Sequence, residues 1–496
     1  MTPSRLRLRP LASGLALALM VSACTVGPNY TRPAVTTPPA FKEAPSAQNG
    51  WVPSQPMDTI QRGAWWSAFN DPVLDGLEQK VRISNQNVAA AVAAYDEARA
   101  LTAADRASFF PTLSASGSGT RSGGGGGSRK SGTTVTSGGT VVPTGSGSYA
   151  VSSYGASLGA SWAPDLWGRL RRQVQSDVAA SQATAADLAN ATLSAQAQLA
   201  ADYLTLRILD EEKRLYDDTV KADQRSFDIT QNRYKAGVAA KTDVITAQTQ
   251  LLAAQAQAVD VAVQRQQTEH AIAVLAGMAP AELTIAVQPS LSQTVPTPPP
   301  VVPSVLLQRR PDIAAAERRA AESSALIGVQ VAAYYPTFNL TGSFGYDASS
   351  LGNLFNAAND VWSFGGSAAE TLLDFGARQA RVRQAKAAYA QSVATYRQTV
   401  LSAFQQVEDE LVALRVLEQE AKVRAQTQAS ARQAVELTLN QYKAGTLDYT
   451  SVVAAQNTAL SAAQSVLTVL QQRQAASVTL VEALGGGWTD ADLPKR

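Results

Sequence analysis

Two stretches, Ile229-Thr-Gln-Asn-Arg-Tyr-Lys-Ala-Gly237 and Leu437-Thr-Leu-Asn-Gln-Tyr-Lys-Ala-Gly445, are near copies lying 208 residues apart. The same offset aligns Thr242, Val244, Gln248 and Gly277 with Thr450, Val452, Gln456 and Gly485. Upstream it aligns Trp167-Gly168 with Phe375-Gly376 and Leu206-Arg207 with Leu414-Arg415. A second block repeats at an offset of 225, where Ala89 to Ala91 match Ala314 to Ala316. In that block Phe109-Phe-Pro-Thr-Leu113 matches Tyr334-Tyr-Pro-Thr-Phe338. Self-similarity over such spans means a duplicated structural unit. Each half reads as helix, proline, strand, strand, long helix, turn, helix.

The long helices are residues 168–231 and 376–440, free of proline and poor in glycine after their first turn. At 1.5 Å per residue each would measure roughly 95 Å, a rod rather than part of a globular core. Val393, Tyr396, Val400, Phe404, Val407, Leu411 and Leu414 recur at steps of three and four, as do Leu460, Ala463, Leu467 and Leu470. That spacing predicts coiled-coil seams. Both rods end at Tyr-Lys-Ala-Gly. Gly237 and Gly445 suit a left-handed C-cap, and Lys235 and Lys443 complement the negative helix end. The following helices are expected to start near Thr242 and Asp448, both good N-caps.

Strands are expected after Pro111 and Pro336, where apolar residues alternate with small or polar ones. Return strands fall at about 153–163 and 361–372. Lengths near ten residues suit a tilted strand of an outer-membrane barrel. Residues 119–148, with Gly123 to Gly127 in a row, read as a loop too rich in Gly and Ser to pack. Four strands cannot close a barrel, and an open edge in lipid is not tolerated, so oligomerisation is required. Three chains would supply twelve strands.

The N-terminus reads as an export leader. Arg5, Arg7 and Arg9 form a basic stretch before the apolar run Leu11 to Val21, which is too short to span a bilayer. Val21-Ser22-Ala23 precedes Cys24 as in a bacterial lipoprotein cleavage site, and Cys24 is the only cysteine of the chain. Thr25 follows it; the aspartate that retains lipoproteins in the inner membrane is absent, so outer-membrane sorting is the default. The 496-residue chain carries +2 and loses those three arginines with the leader, leaving no electrostatic case for nucleic acid. One cysteine and one histidine, His270, exclude a disulfide framework and His-pair or Cys-rich metal sites. His270 sits in a Gln/Glu-rich helix and reads as a surface or interface residue.

The sequence therefore divides as follows: 1–23 signal peptide; 24–70 a lipid-anchored arm; 71–278 the first repeat; 279–305 a Pro-rich linker and equatorial region; 306–485 the second repeat; 486–496 a tail. The fold class is a mixed α+β membrane protein with four transmembrane strands and long coiled-coil helices per chain.

The chain resembles the TolC/OprM-type outer-membrane efflux channels, specifically their NodT lipoprotein subfamily. The match is carried by Cys24-Thr-Val-Gly-Pro-Asn-Tyr-Thr-Arg-Pro33, Leu306-Leu-Gln-Arg-Arg-Pro-Asp-Ile313, the paired Tyr-Lys-Ala-Gly turns and Tyr335-Pro336-Thr337. It covers essentially the whole chain after the leader. It implies a homotrimer with a 12-stranded β-barrel in the outer membrane and a 12-helix periplasmic α-barrel. Its role would be the passive exit duct of a tripartite pump, with a periplasmic adaptor (membrane fusion) protein and an inner-membrane transporter of RND type. The resemblance places adaptor contacts at Gly237, Val238, Ala239, Gly445, Thr446 and Leu447. It places gate-linking residues at Asp243 and Tyr442, predicting an Asp243–Tyr442 hydrogen bond. The chain departs from the pattern where the family carries a linking arginine, here Leu447, and ring aspartates, here Ser451 and Ala454. Asp448, nearer the tip, is the substitute ring candidate. No cofactor, metal or enzyme activity is implied. The alternatives are a duct for type I protein secretion, which shares the fold, and a coiled-coil adaptor, which lacks strands after Pro111 and Pro336. No P-loop, Gly-x-Ser-x-Gly motif or His-based dyad supports catalysis.

Overall fold

The computed structural model describes residues 25–43, 64–124, 149–288, 292–296, 307–488 and 493–494. The expectations placed on the leader, on Cys24 and on residues 125–148 lie outside the described residues. The elements in chain order are α1 (Pro72–Ser84), α2 (Gln86–Ala107), β1 (Thr112–Gly124), β2 (Tyr149–Trp162), α3 (Arg169–Lys235) and α4 (Lys241–Leu275). Then follow α5 (Pro311–Ala332), β3 (Thr337–Ala348), β4 (Asp360–Ala369), α6 (Ala377–Ala444) and α7 (Tyr449–Ala483). The repeated order of elements is that read from the sequence. The long helices α3 and α6 have 67 and 68 residues. No described helix is long and apolar enough to cross a membrane.

The chain forms two compact units, and each draws segments from both repeats. The first comprises Met1–Tyr30, Ala100–Val178 and Ala321–Tyr389. It holds one antiparallel sheet in the order β1-β2-β3-β4, so β1 and β4 each keep one unpaired edge. The register sorts the side chains cleanly, because successive residues of a strand point to opposite faces. Leu113, Tyr154, Leu158, Trp162, Leu340, Phe344, Tyr346, Trp362 and Phe364 share one face. Ser114, Ser116, Ser157, Ser161, Asn339, Thr341, Ser343 and Ser363 share the other. The polar face is laced by cross-strand hydrogen bonds, Ser116 Oγ to Ser157 Oγ at 2.8 Å, Ser343 Oγ to Ser363 Oγ at 2.8 Å and Ser161 Oγ to Asn339 Oδ1 at 3.3 Å.

Residues 119–124, expected in a loop, belong to β1 and pair with β2 as far as Gly124↔Tyr149. Pairing needs only backbone groups, and the absence of a side chain at Gly119 leaves room for the Tyr154 ring beside it. A composition argument that counts glycine against packing fails where the partner strand supplies the bulk.

In the same unit the Thr25–Asn29 segment is held by Arg172, which is 4% exposed. Its guanidinium donates to the carbonyls of Val26 (3.2 Å) and Gly27 (3.1 Å) and to Asn29 Oδ1 (2.9 Å). Gly27, at φ +92°, presses on the backbone of Gly328, where any side chain would collide. Trp167 stacks on Tyr335 at 4.9 Å and donates to the Pro336 carbonyl at 2.8 Å.

The second unit comprises Thr31–Arg99, Ala179–Ala320 and Ala390–Arg496. One of its cores gathers Trp65, Trp66, Phe69, Leu74, Leu77 and Val81 against Leu199, Tyr203 and Leu206 of α3, Ile272 of α4 and Val478 of α7. Another gathers Tyr396, Val400, Phe404 and Val407 of α6 with Ile313, Leu480 and Phe41. Those α6 residues are the seam expected from spacing, with Leu411 and Leu414 at its border. The segment Phe41–Glu43 is clipped onto α6. Phe41 meets Phe404 edge-on at 6.4 Å, and the Glu408 carboxylate accepts from Lys42 N (2.7 Å) and Glu43 N (2.9 Å). The Glu43 carboxylate pairs with Arg415.

The sequence repeat is also a repeat of contacts. Gly277 (φ +70°) lies against the Ser84 carbonyl, and Gly485 (φ +92°) lies against the Arg309 carbonyl. Asn85 Nδ2 donates to the Leu275 carbonyl at 2.8 Å, and Arg310 Nη1 donates to the Ala483 carbonyl at 3.0 Å. Each pair is related by the two offsets found in the sequence. Each ties off the C-terminus of a hairpin's second helix, whose last carbonyls lack helical partners.

Candidate functional site: the two hairpin tips

Both tips lie in the second unit. Gly237 at φ +76° and Gly445 at φ +77° adopt the left-handed conformation expected of them. Val238 N donates to the Arg233 carbonyl (2.9 Å) and Gly237 N to the Tyr234 carbonyl (2.9 Å). Thr446 N donates to Gln441 (3.1 Å) and Gly445 N to Tyr442 (2.9 Å) in the same pattern. These are Schellman caps, in which the bond from the residue after the glycine closes the last turn. Gly237, Val238, Gly445 and Thr446 are exposed; Ala239 and Leu447 are half-buried. Ser451 is half-buried and Ala454 exposed, and neither brings charge to the tip.

The two hairpins start their second helices differently. Asp448 caps α7 as expected, its carboxylate accepting from Ser451 N at 3.0 Å and Ser451 Oγ at 2.5 Å. Those two bonds hold the Asp448 carboxyl below its ordinary range. The expectation for Thr242 is corrected. The helix α4 begins one residue earlier, with Ala240 as the cap residue and no side-chain cap bond. Asp243 falls in its first turn, where the helix dipole favours a negative charge.

The Asp243–Tyr442 hydrogen bond is likewise corrected. Tyr442 is 3% exposed, and its hydroxyl finds no hydrogen-bond partner among the described residues. Its ring is held from two sides instead. Tyr449 packs against it at 5.3 Å, and the Arg233 guanidinium lies over its face at 4.8 Å. Ala247 and Val452 complete an apolar pocket around the two tyrosines. Arg233 Nη1 also donates to the Lys443 carbonyl, at 3.0 Å. The arginine that touches the second hairpin thus comes from the first hairpin and not from position 447.

Below the tips lies a buried polar group that sequence reading missed. Asp223 of α3 is 2% exposed, and its Oδ2 has no hydrogen-bond partner among the described residues. Burial pushes its carboxyl up to about 6. Burial, then the charge of Asp223, pushes the Tyr449 phenol up to about 12. Gln456 Nε2 donates to Ser226 Oγ at 3.1 Å, while its Oε1 is buried without a partner. In the sequence Gln456 stands out only as the repeat equivalent of Gln248. Asp223 stands among many acids of α3, and nothing in its spacing separates it from them. No group of His, Cys, Asp and Glu among the described residues could hold a metal ion.

A sheet with one apolar and one hydroxyl-rich face, joined in one chain to two long helical hairpins, is the build of an outer-membrane channel. The family profile described as outer membrane efflux protein matches residues 77–278 and 302–486, and the chain belongs to that family. The antibiotic efflux pump outer membrane protein ArpC of Pseudomonas putida is 27% identical over 483 residues, 97% of this chain and 96% of that one. The outer membrane protein OprJ of Pseudomonas aeruginosa is 29% identical over 485 residues, 96% of each chain. Among solved structures, the outer-membrane channel OprN superposes with a TM-score of 0.82 at 29% identity, covering 94% of this chain and 100% of that one. This chain is an outer-membrane efflux channel extending into the periplasm.

Proposed function

We propose that three copies of this chain form the exit duct of a tripartite pump, passively carrying drugs or other small molecules across the outer membrane. The observation that carries this is the four-stranded sheet. Its two edges are unpaired within the chain, and its apolar face exposes Leu113, Phe344, Trp362 and Phe364. Open edges cannot stand in lipid, so closure by further copies supplies the missing hydrogen bonds. Twelve strands from three chains then make a barrel with lipid outside and hydroxyls lining the lumen.

The helices support the same assembly. Ile245, Leu252 and Val259 of α4 are exposed at steps of seven, as are Val416, Val423 and Leu437 of α6 at multiples of seven. A heptad stripe left uncovered in one chain is a seam for another helix. Cys24 carries the lipid anchor in this reading, and the Thr25–Asn29 segment beside it is pinned by Arg172. The tips Gly237-Val238-Ala239 and Gly445-Thr446-Leu447 dock a periplasmic adaptor, and an inner-membrane transporter of RND type drives the cargo. The chain itself conducts and performs no reaction. The name of the similar ArpC pump component supports drug cargo over secreted protein.

The test is intracellular accumulation of a dye and an antibiotic in a strain lacking this chain, with its secreted proteins measured alongside. Raised accumulation restored to normal by complementation is expected. Normal accumulation with a missing secreted protein would move the chain to protein secretion.

A further inference from the structure

The turns that lead from the sheet into the two long helices hold equivalent places in the repeat, yet the chain covers only one of them. In the β2–α3 turn, Trp167 stacks on Tyr335 at 4.9 Å, and Gly168 lies against Thr25, the residue after Cys24. In the β4–α6 turn, a Cβ at Gly376 would meet nothing within 4 Å. Leu372, Leu373 and Phe375 of that turn are 89%, 71% and 93% exposed. The exposure is built into a well-tied turn. Asp374 caps α6, its carboxylate accepting from Gly376 N (3.1 Å), Arg378 N (3.0 Å) and Arg378 Nε (2.7 Å). The Arg378 guanidinium also lies over the Tyr334 ring at 5.2 Å. Phe375 is held at φ +51°, an outlier for a bulky residue. A costly backbone conformation that leaves an aromatic ring bare points to something that covers the ring.

The charge that follows is one-sided. From Ala377 to Val407, α6 carries Arg378, Arg381, Arg383, Lys386 and Arg397 and no acid. The matching stretch of α3 includes Asp177 and Asp187. Arg381, Arg383 and Lys386 are exposed. We propose that the β4–α6 turn and the basic run behind it seat anionic phospholipids of the inner leaflet of the outer membrane. This goes beyond the duct reading and rests only on the outer-membrane location of the chain. The chemistry runs in the order of a lipid, from tail to head. The apolar side chains lie at the end of the sheet, where acyl chains end. The three cations follow Phe375 at about 9–16 Å along the helix. Helical side chains lean toward the N-terminus, and the long stems of Arg and Lys carry their heads further the same way. They thereby reach back to a headgroup zone roughly 5–7 Å deep. Arg383 and Lys386 are three apart and share a helix face, so one phosphate can meet both. A zwitterionic headgroup would leave the charge of the run uncompensated, which favours an anionic one.

The test is the melting temperature of the purified full-length protein in detergent, titrated with dioleoylphosphatidylglycerol or dioleoylphosphatidylcholine. The anionic lipid is expected to stabilise at a concentration about ten-fold or more lower, with the gap narrowing at high salt. Arg381→Gln, Arg383→Gln and Lys386→Gln combined should close the gap. The trimer fraction and the lipid-free melting temperature should hold, because glutamine keeps the helix propensity of exposed positions. Arg397→Gln removes a cation about 33 Å from Phe375 along the helix and should keep the wild-type preference. A second measurement leaves the charges intact. Phe375→Trp is reconstituted in mixed vesicles of the two lipids, with the acyl chains of one or the other brominated. The added fluorescence should be quenched more by the brominated anionic lipid. Equal stabilisation of wild type by both lipids, or equal quenching by both, would overturn the proposal. So would a preference that survives the triple variant. Loss of the trimer in that variant would also overturn it, since the run would then bind another copy of the chain.

Discussion

Asp223 shows how much one side chain can carry. Its carboxyl titrates at about 6 in the folded chain against an ordinary 3.8, because burial disfavours the charge. The folded state therefore holds the proton more tightly than the unfolded state. Its contribution to stability is fully present below about pH 4 and is lost as pH rises through about 6. Above that, the buried charge costs at most about 3 kcal/mol. Asp223→Asn should accordingly raise the melting temperature of the trimer at neutral pH and flatten its dependence between about pH 4 and pH 6. A variant as pH-sensitive as wild type would show that Asp223 is solvated. Residue-scale features were the least legible in sequence. Asp223 is one acid among many on α3, and helical spacing alone does not say which of them a second hairpin covers. Arg233 was legible in principle. Comparing the repeats sets Arg233 against Gln441, one of several differences between the tips, with Lys241 against Tyr449 and Asp243 against Ser451 among the others.

At the scale of elements, the reading from sequence held wherever backbone geometry forces the residue. Proline-free runs gave the two rods, and the glycines after Tyr-Lys-Ala gave their ends. It slipped where residue type alone was the guide. Thr242 is a good cap by type, yet α4 starts at Lys241. The strand β1 runs into glycines that a composition argument assigns to a loop. The tips yield a sharp expectation. A Cβ at Gly237 would meet nothing within 4 Å, and one at Gly445 would meet only Arg233 Nη2, at 3.8 Å. Substitution there is thus limited by the positive φ and not by collision. Gly445→Asn should be tolerated, while Gly445→Val should cost roughly 1–2 kcal/mol of strain and weaken adaptor binding. Affinity of the purified channel for its adaptor measures this, and equal binding by both variants would argue against Gly445 as a docking tip.

At the scale of the whole molecule, the duplication was plain in the sequence, but the compact units were not. Each unit collects pieces of both repeats, because the division falls within α2, α3, α5 and α6. Assembly was legible through what four strands lack. The surfaces that answer that lack, the heptad stripes of α4 and α6, became visible only once the buried seams were known. Val423→Lys together with Leu437→Glu should leave the helices formed but reduce the crosslinked trimer in detergent extracts. An undiminished trimer would place the seam elsewhere. Clipping of the early segment onto α6 can be probed likewise. Phe41→Ala should cost about 3 kcal/mol through the cavity left against Phe404, read as a lower melting temperature.

That clip also dictates a schedule. Lys42 and Glu408 are 366 positions apart, so among the first segments to emerge during export is one whose partner follows hundreds of residues later. Contacts of such separation close late, after the intervening chain has been delivered. A molecule stalled partway through translocation cannot finish this seam, however well its first hairpin has folded. Its early segment then lacks the α6 partner that covers it in the complete chain. A chain truncated at residue 390 should be cut readily near Phe41 in the periplasm, where the full-length protein resists.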